Sequence, residues 1–249
     1  MSDSLPIARP GLLDIDVKEY GGKKDGVPQS SDARLFMQLL VLECHEGTQA
    51  AADALTELLT AHKIDGIVYK DASDPKGLGL LTWARDPAHF VDKVAPLFDH
   101  EAMETTLPRR ELSLLGRTYS IGYEPDLEHV LFHRPVGNVQ NADFGWHIWY
   151  PLRRNGAFAK LTHEEQQQIL KEHSVLGISY GSKNLAHDIR LACHGLDVND
   201  NDFVVGLVSS ELHPLSHLVQ TMRKTKQTSD FIEKIGPFFV GRVHARVAH

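Results

Sequence analysis

RLFMQLLVLECHEGTQAAADALTELLTAHKIDGIVYKD, residues 34–71, changes its apolar pattern twice within one stretch. Arg34–Cys44 is a long apolar strand run. Gly47–His62 then places Ala51, Leu55, Leu58 and Leu59 at helical spacing. Lys63–Asp71 reads as strand again. Beyond a turn at Asp74-Pro75, Gly77–Arg85 is a third strand. Asp86–Phe98 reads as a second helix, with Asp86 as its N-cap and Pro87 at its first position. Glu111–Tyr123 closes the set as a fourth strand. The order βαββαβ is that of a ferredoxin-like unit.

The pattern returns downstream. Phe144–Leu152 is a strand, and Thr162 to about Gly177 is a helix opened by the Thr162/Glu165 capping-box spacing. Asn184–Cys193 and Asp202–Leu212 are strands, Pro214–Arg223 begins a helix, and Gly236–Ala248 is the closing strand. The expected fold is therefore α+β, with tandem ferredoxin-like (βαββαβ) repeats of the dimeric α+β barrel type. Its two antiparallel sheets are expected to pack face to face. The boundaries read as an extended N-terminal arm over 1–32, a first subdomain over 33–125, a connection over 126–143 and a second subdomain over 144–249.

A formal net charge of −7 argues against nucleic acid or an anionic membrane surface as the main partner. Two cysteines, Cys44 and Cys193, both in apolar runs, read as reduced and buried. No targeting segment and no membrane span is expected, which suits a cytoplasmic protein.

Four constellations can carry chemistry. His173 follows Ile169 by four residues and Leu170 by three, so its imidazole projects from the apolar helix face. It is either a satisfied core histidine or an axial ligand. His129/His133 and His213/His217 have HxxxH spacing, but no glutamate completes an HExxH motif, which argues against zinc. In Trp146–Gly156, alternation puts Trp146, Ile148 and Tyr150 on one strand face and His147 and Trp149 on the other. Arg153 and Arg154 follow, either as carboxylate binders or as solvated side chains. Thr221–Gly241 combines basic and hydroxyl residues with a Gly-Pro entry into a buried strand; a solvated basic helix end is the simpler reading.

Together these segments resemble the chlorite dismutase family, and within it the coprohaem decarboxylases. The resemblance rests on Tyr150-Pro151-Leu152, the helix from Leu161 to His173, Tyr180, Met222-Arg223 with Thr228, and Gly236–Gly241, five segments in order at compatible spacing. It implies that His173 binds the iron of haem or coprohaem. It also implies that Tyr150 becomes a radical that abstracts hydrogen from a propionate. By the same resemblance Arg154, Arg223, Thr228 and Tyr119 contact the substrate. The implied reaction is the hydrogen-peroxide-dependent decarboxylation of iron-coproporphyrin to haem b, in a ring-shaped homo-oligomer, commonly a pentamer.

Two departures bear on this expectation. Chlorite dismutases carry an arginine thirteen residues after the proximal histidine, where this chain has Ala186. Chlorite turnover is therefore not expected, and His133 is a candidate for the open side of the iron. The segment after Tyr150 is also shorter than in the commonest decarboxylases and lacks their Asn-Trp-Tyr. The alternative is a haem-binding or haem-transfer protein without turnover.

Overall fold

The computed structural model describes residues 13–249. Its first element is a hairpin in which β1 (Glu19–Lys24) pairs antiparallel with β2 (Val27–Ser31). Asp25 and Gly26 reverse the chain with φ of 53° and 82°, the left-handed pair that a two-residue hairpin turn requires. The extended arm expected over 1–32 is thus corrected for its second half. Residues 1–12 lie outside the described residues. The hairpin docks on its own chain: Gln29 donates to the carbonyls of Glu124 and Pro125 and accepts from Leu127 N–H.

The first repeat consists of β3 (Phe36–Cys44), α1 (Thr48–Ala61), β4 (Gly66–Asp71) and β5 (Gly77–Ala84), then a helical segment, β6 (Thr106–Pro108) and β7 (Leu114–Thr118). The helical segment is a π turn over Phe90–Val94 followed by a 3₁₀ turn over Ala95–Asp99, in place of the expected α-helix. Pro96 explains the change, because it has no N–H to continue the helical ladder. A second π turn, His129–His133, leads into α2 (Arg134–Gln140) just ahead of Pro135. The segment between the repeats is therefore helical. The second repeat follows as β8 (Trp146–Arg154), α3 (His163–Ser182), β9 (His187–Ala192), β10 (Phe203–Ser209), α4 (Leu212–Met222), α5 (Lys226–Phe231), β11 (Ile232–Ile235) and β12 (Phe239–Val247).

In space the first repeat orders its strands β7-β3-β5-β4 and the second β12-β8-β10-β9, all antiparallel, as ferredoxin-like units do. The edges then join: β4 pairs with β12 and β7 with β9. Instead of two separate sheets facing each other, eight strands close into a barrel, with β6 and β11 appended. Met37, Leu39, Val41, Tyr69, Trp149 and Phe239 fill its interior. Space there is tight: a Cβ on Gly206 would meet the Trp149 ring at 2.5 Å, and one on Gly79 would meet Phe239 at 2.5 Å.

Helices cover the outside unequally. On α1, Ala51, Ala52, Leu55, Leu58 and Leu59 are buried, a continuous apolar stripe against the first sheet. In the 20 residues of α3 only Ile169 is buried. This helix is rich in Glu, Gln and Ser, so it has little apolar surface to press against the second sheet. It also continues past the stop expected at Gly177 as far as Ser182. There Asn184, at φ 54°, supplies the left-handed turn that glycine usually makes. A helix this polar stands off the sheet and leaves space beneath it. Cys44 and Cys193 are free and buried, and burial raises both thiols, Cys193 to about 12. Among the described residues no helix is long and apolar enough to cross a membrane.

Candidate functional site

The space under α3 is a cavity of about 410 Å³. One wall is helical: His173, Ser174, Gly177 and Ile178 lie on the inner face of α3 at i, i+1, i+4 and i+5. The facing wall is the outer surface of the barrel, where Tyr150 and Leu152 of β8, Val205 and Leu207 of β10, and Asp188 and Arg190 of β9 share one side of the sheet. Alternation along β8 sends Trp149 and His147 into the barrel and Tyr150 out into the cavity. Met222, Arg223, Gln227 and Thr228 form one end. The loop Ile121–Pro125, with Val130 and Arg134, forms the other. Ile121, Tyr123 and Ile178 are 51, 64 and 70% exposed, giving the mouth an apolar rim.

His173 approaches the cavity as a neutral ring. Burial lowers its basicity, Arg190 lowers it further, and Asp188 only partly compensates. Its Nδ1 is buried without a partner among the described residues. Burial holds the Tyr150 phenol well above its ordinary range; Asp188 adds to this and Arg223 opposes it. The Tyr150 ring stacks on Phe238, with centroids 4.6 Å apart. Its hydroxyl therefore stays protonated and is held at a fixed place on the sheet wall.

His173, Tyr150, Ala186, Arg223 and Thr228 thus converge on one cavity from four separate segments. Arg154 and Tyr119 do not line it. The Arg154 guanidinium lies 4.1 Å from the Phe158 ring centroid and 5.0 Å from that of Phe203, and its buried Nε has no partner among the described residues. Tyr119 packs on the same Phe203, 5.7 Å away. Both sit on the flank of the site. His133 also falls outside: its side chain is 64% exposed and faces Glu128. Consecutive helical residues point about 100° apart, and it is Arg134, the next residue, that turns inward. Ala186 lines the cavity but offers no polar group.

Sequence reading missed Arg134, Asp188 and Arg190. Arg134 donates to a carboxylate oxygen of Asp188, and Arg190 Nε lies 3.1 Å from the other. Strand alternation two and four residues beyond Ala186 was the available signal. The histidine pairs gather no third ligand: no cluster of three or more His, Cys, Asp or Glu suited to a metal ion occurs among the described residues. The ring centroids of His213 and His217 are 6.0 Å apart, and His217 Nδ1 is engaged by the Tyr180 hydroxyl.

A family model described as chlorite dismutase matches residues 81–244, well over half of the chain. No protein of curated function matches it in sequence. Among solved structures, a haem-binding protein from Thermus thermophilus superposes with a TM-score of 0.68 at 17% identity, over 85% of this chain and 91% of that one. A chlorite dismutase variant from Candidatus Nitrospira defluvii gives 0.66 at 15% identity, over 86% and 93%. A second variant from the same organism, in complex with cyanide, gives 0.66 at 14%, over 86% and 92%.

Proposed function

Because the chain belongs to the chlorite dismutase family, we propose that it binds iron-coproporphyrin through His173 and decarboxylates two of its propionates with hydrogen peroxide, giving haem b. The observation that carries this reading is the placement of His173 and Tyr150 on facing walls of one cavity, with Arg223 and Thr228 at its end. The cavity suits the group. A neutral, partnerless imidazole can ligate a metal. Gly177, one turn beyond it, adds no side chain: a Cβ there would find only Met222 Cε, at 4.0 Å. Apolar walls suit a ring, and cations at the edge suit its carboxylates.

The bound iron porphyrin supplies the oxidising equivalents delivered by peroxide. The residues supply position. Tyr150, kept protonated, can lose its hydroxyl hydrogen as an atom and replace it with one from the adjacent propionate. Each propionate then releases carbon dioxide and becomes a vinyl group; one peroxide and one proton yield two waters. Arg223 makes no hydrogen bond or ion pair through its side chain among the described residues, so its full donor set is free for a carboxylate. Thr228, whose hydroxyl is 3.2 Å from that of Thr225, adds a neutral donor or acceptor. Assembly into a ring-shaped homo-oligomer is part of the same proposal.

The test is a titration of purified protein with iron-coproporphyrin, then stepwise peroxide and mass analysis of the porphyrin. Two successive losses in the wild type, absent in Tyr150→Phe, support the decarboxylase. Tight binding without mass loss favours the second reading, a haem-binding protein. Ala186, 2% exposed and without a donor, is the observation on its side. Failure to bind returns His173 to a packing role.

A further inference from the structure

Polar contacts at its sides hold α3 over the cavity. Of its 20 residues only Ile169 is buried, against Phe158 and Phe231. Beyond the turn that precedes it, three polar side-chain contacts join this helix to the rest of the chain among the described residues. Gln167 Nε2 donates to the Tyr123 hydroxyl at 2.6 Å, and the Glu172 carboxylate accepts from Lys226 N–H at 3.0 Å. The Tyr180 hydroxyl lies 2.5 Å from His217 Nδ1 and 3.3 Å from Thr221 Oγ1. His173 sits midway between the two phenol contacts, about 9 Å along the axis from Gln167 and about 10 Å from Tyr180.

Both phenol contacts have firm supports. Tyr123 belongs to the mouth loop, which Glu124 stiffens by accepting from Ile121 and Gly122 N–H at 2.6 and 3.0 Å. The β1–β2 hairpin backs the loop: Gly22 N–H donates to the Glu124 carbonyl at 2.9 Å, and Gln29 donates to the same oxygen at 3.1 Å. A Cβ on Gly22 would lie 3.2 Å from the carbonyl oxygens of Tyr123 and Glu124, so glycine allows the hairpin this close. On the other side, α4 carries His217 and Thr221 and is rooted on the sheet by Leu215 and Leu218, 0 and 4% exposed. The Tyr180 ring packs on the same cluster. A helix with a single buried side chain is thus pinned between two braced posts.

We propose that Tyr123 and Tyr180 are positioning residues: their hydroxyls clamp α3 on either side of His173, and release of the clamps lets a flat ring pass between helix and sheet. The inference rests on the iron-porphyrin reading and adds to it the control of ligand exchange. The clamps join protein to protein, so they are made with the cavity empty or filled. A bond intact in both end states and broken only between them slows entry and exit alike and leaves the equilibrium unchanged.

Stopped-flow mixing with ferric coproporphyrin, without peroxide, reads entry; transfer of the bound porphyrin to excess serum albumin reads exit. Tyr123→Phe and Tyr180→Phe should each speed both rates about fivefold, and the double variant about twentyfold. The equilibrium constant should stay within about twofold of the wild type, with circular dichroism verifying the fold. Unchanged rates in both variants overturn the clamps. So does faster exit with unchanged entry, which would confine the role of the phenols to the bound state. If the wild type binds no porphyrin, the iron-porphyrin reading falls, and hydrogen exchange on the ligand-free protein decides the clamps separately. Amides of Leu176–Ile178 should then exchange about fivefold faster in Tyr180→Phe than in the wild type, and equal exchange overturns the clamp.

Discussion

Inside the closed barrel, the Tyr69 hydroxyl donates to Nδ1 of His147 across 2.8 Å. The direction is set by the other ring nitrogen, which lies 3.1 Å from the Phe144 carbonyl. A carbonyl only accepts, so Nε2 carries the proton and Nδ1 the lone pair. The ring is fully buried, with the Arg246 charge nearby, and burial first and Arg246 second lower its pKa from 6.5 to about 3. A histidine on the pocket strand is thereby kept neutral and locked to the barrel interior.

Acid stability should report this. Between pH 6.5 and about 3 the unfolded chain protonates His147 and the native chain does not. The unfolded state then binds more protons, so stability falls as pH drops through that window and is unaffected above it. One such group contributes a slope of about 1.4 kcal/mol per pH unit and on the order of 5 kcal/mol in all. Urea unfolding at pH 7 and pH 4.5 should show a steeper loss in the wild type than in His147→Gln by about one proton. Parallel losses would mean the ring is not held neutral.

Gly206 stands directly opposite Trp149 in the β8–β10 ladder, and a Cβ there would come within 2.5 Å of the indole. Gly206→Ala should therefore cost about 1–3 kcal/mol through overpacking. The cost should shrink in a Trp149→Phe background, where the smaller ring leaves room. Chemical denaturation of the four proteins in a double-mutant cycle reads the coupling; additive effects would place the strain elsewhere.

Much of this architecture was legible in the chain. The apolar run of Phe36–Cys44 and the helical spacing in Ala51–Leu59 define the first repeat, because the strand packs on both of its faces and the helix along one stripe. Barrel closure was less so. The β7–β9 seam rests on Arg117↔Ala192 and Thr118↔Leu191, pairings between strands far apart in sequence that leave no local mark. Asp25-Gly26 was a hairpin signal hidden among prolines and glycines, and the stretch 126–143 read only as a connection although a helix begins beside Pro135. In the site, His173 and Tyr150 were readable because each sits on a strongly patterned element. Arg134 was not. It reaches the cavity from a helix whose pattern is weak, one residue away from the histidine that drew attention.

Gly177 separates two requirements of α3. Within a helix it costs about 0.5–1 kcal/mol relative to alanine, and nothing but Met222 Cε at 4.0 Å would resist a methyl group there. Gly177→Ala should raise the thermal midpoint of the ligand-free protein. Gly177→Leu should leave the protein folded but fill the wall beside His173, weakening iron-porphyrin binding by about tenfold or more. Thermal melts and Soret titrations of both variants check this. Full affinity in the leucine variant would mean that the ring does not lie over this turn.

The start of α3 poses a separate question, whether His173 depends on the whole helix or only on its middle. Thr162 Oγ1 accepts from Glu165 N–H at 3.3 Å, and the Glu165 carboxylate accepts from Thr162 N–H at 2.8 Å, a reciprocal cap on a helix with a single buried residue. With so little packing, terminal hydrogen bonds carry an unusual share of the local stability. Thr162→Ala should cost about 1 kcal/mol, lowering hydrogen-exchange protection at Gln166–Gln168 about fivefold. His173 lies nearly three turns further on, where Ile169 anchors the helix to Phe158 and Phe231. Porphyrin affinity should therefore fall by less than about twofold, against complete loss of the ligation spectrum in His173→Ala. An affinity that falls in step with protection would instead make α3 one cooperative unit, ordered by its cap as far as the iron-binding residue.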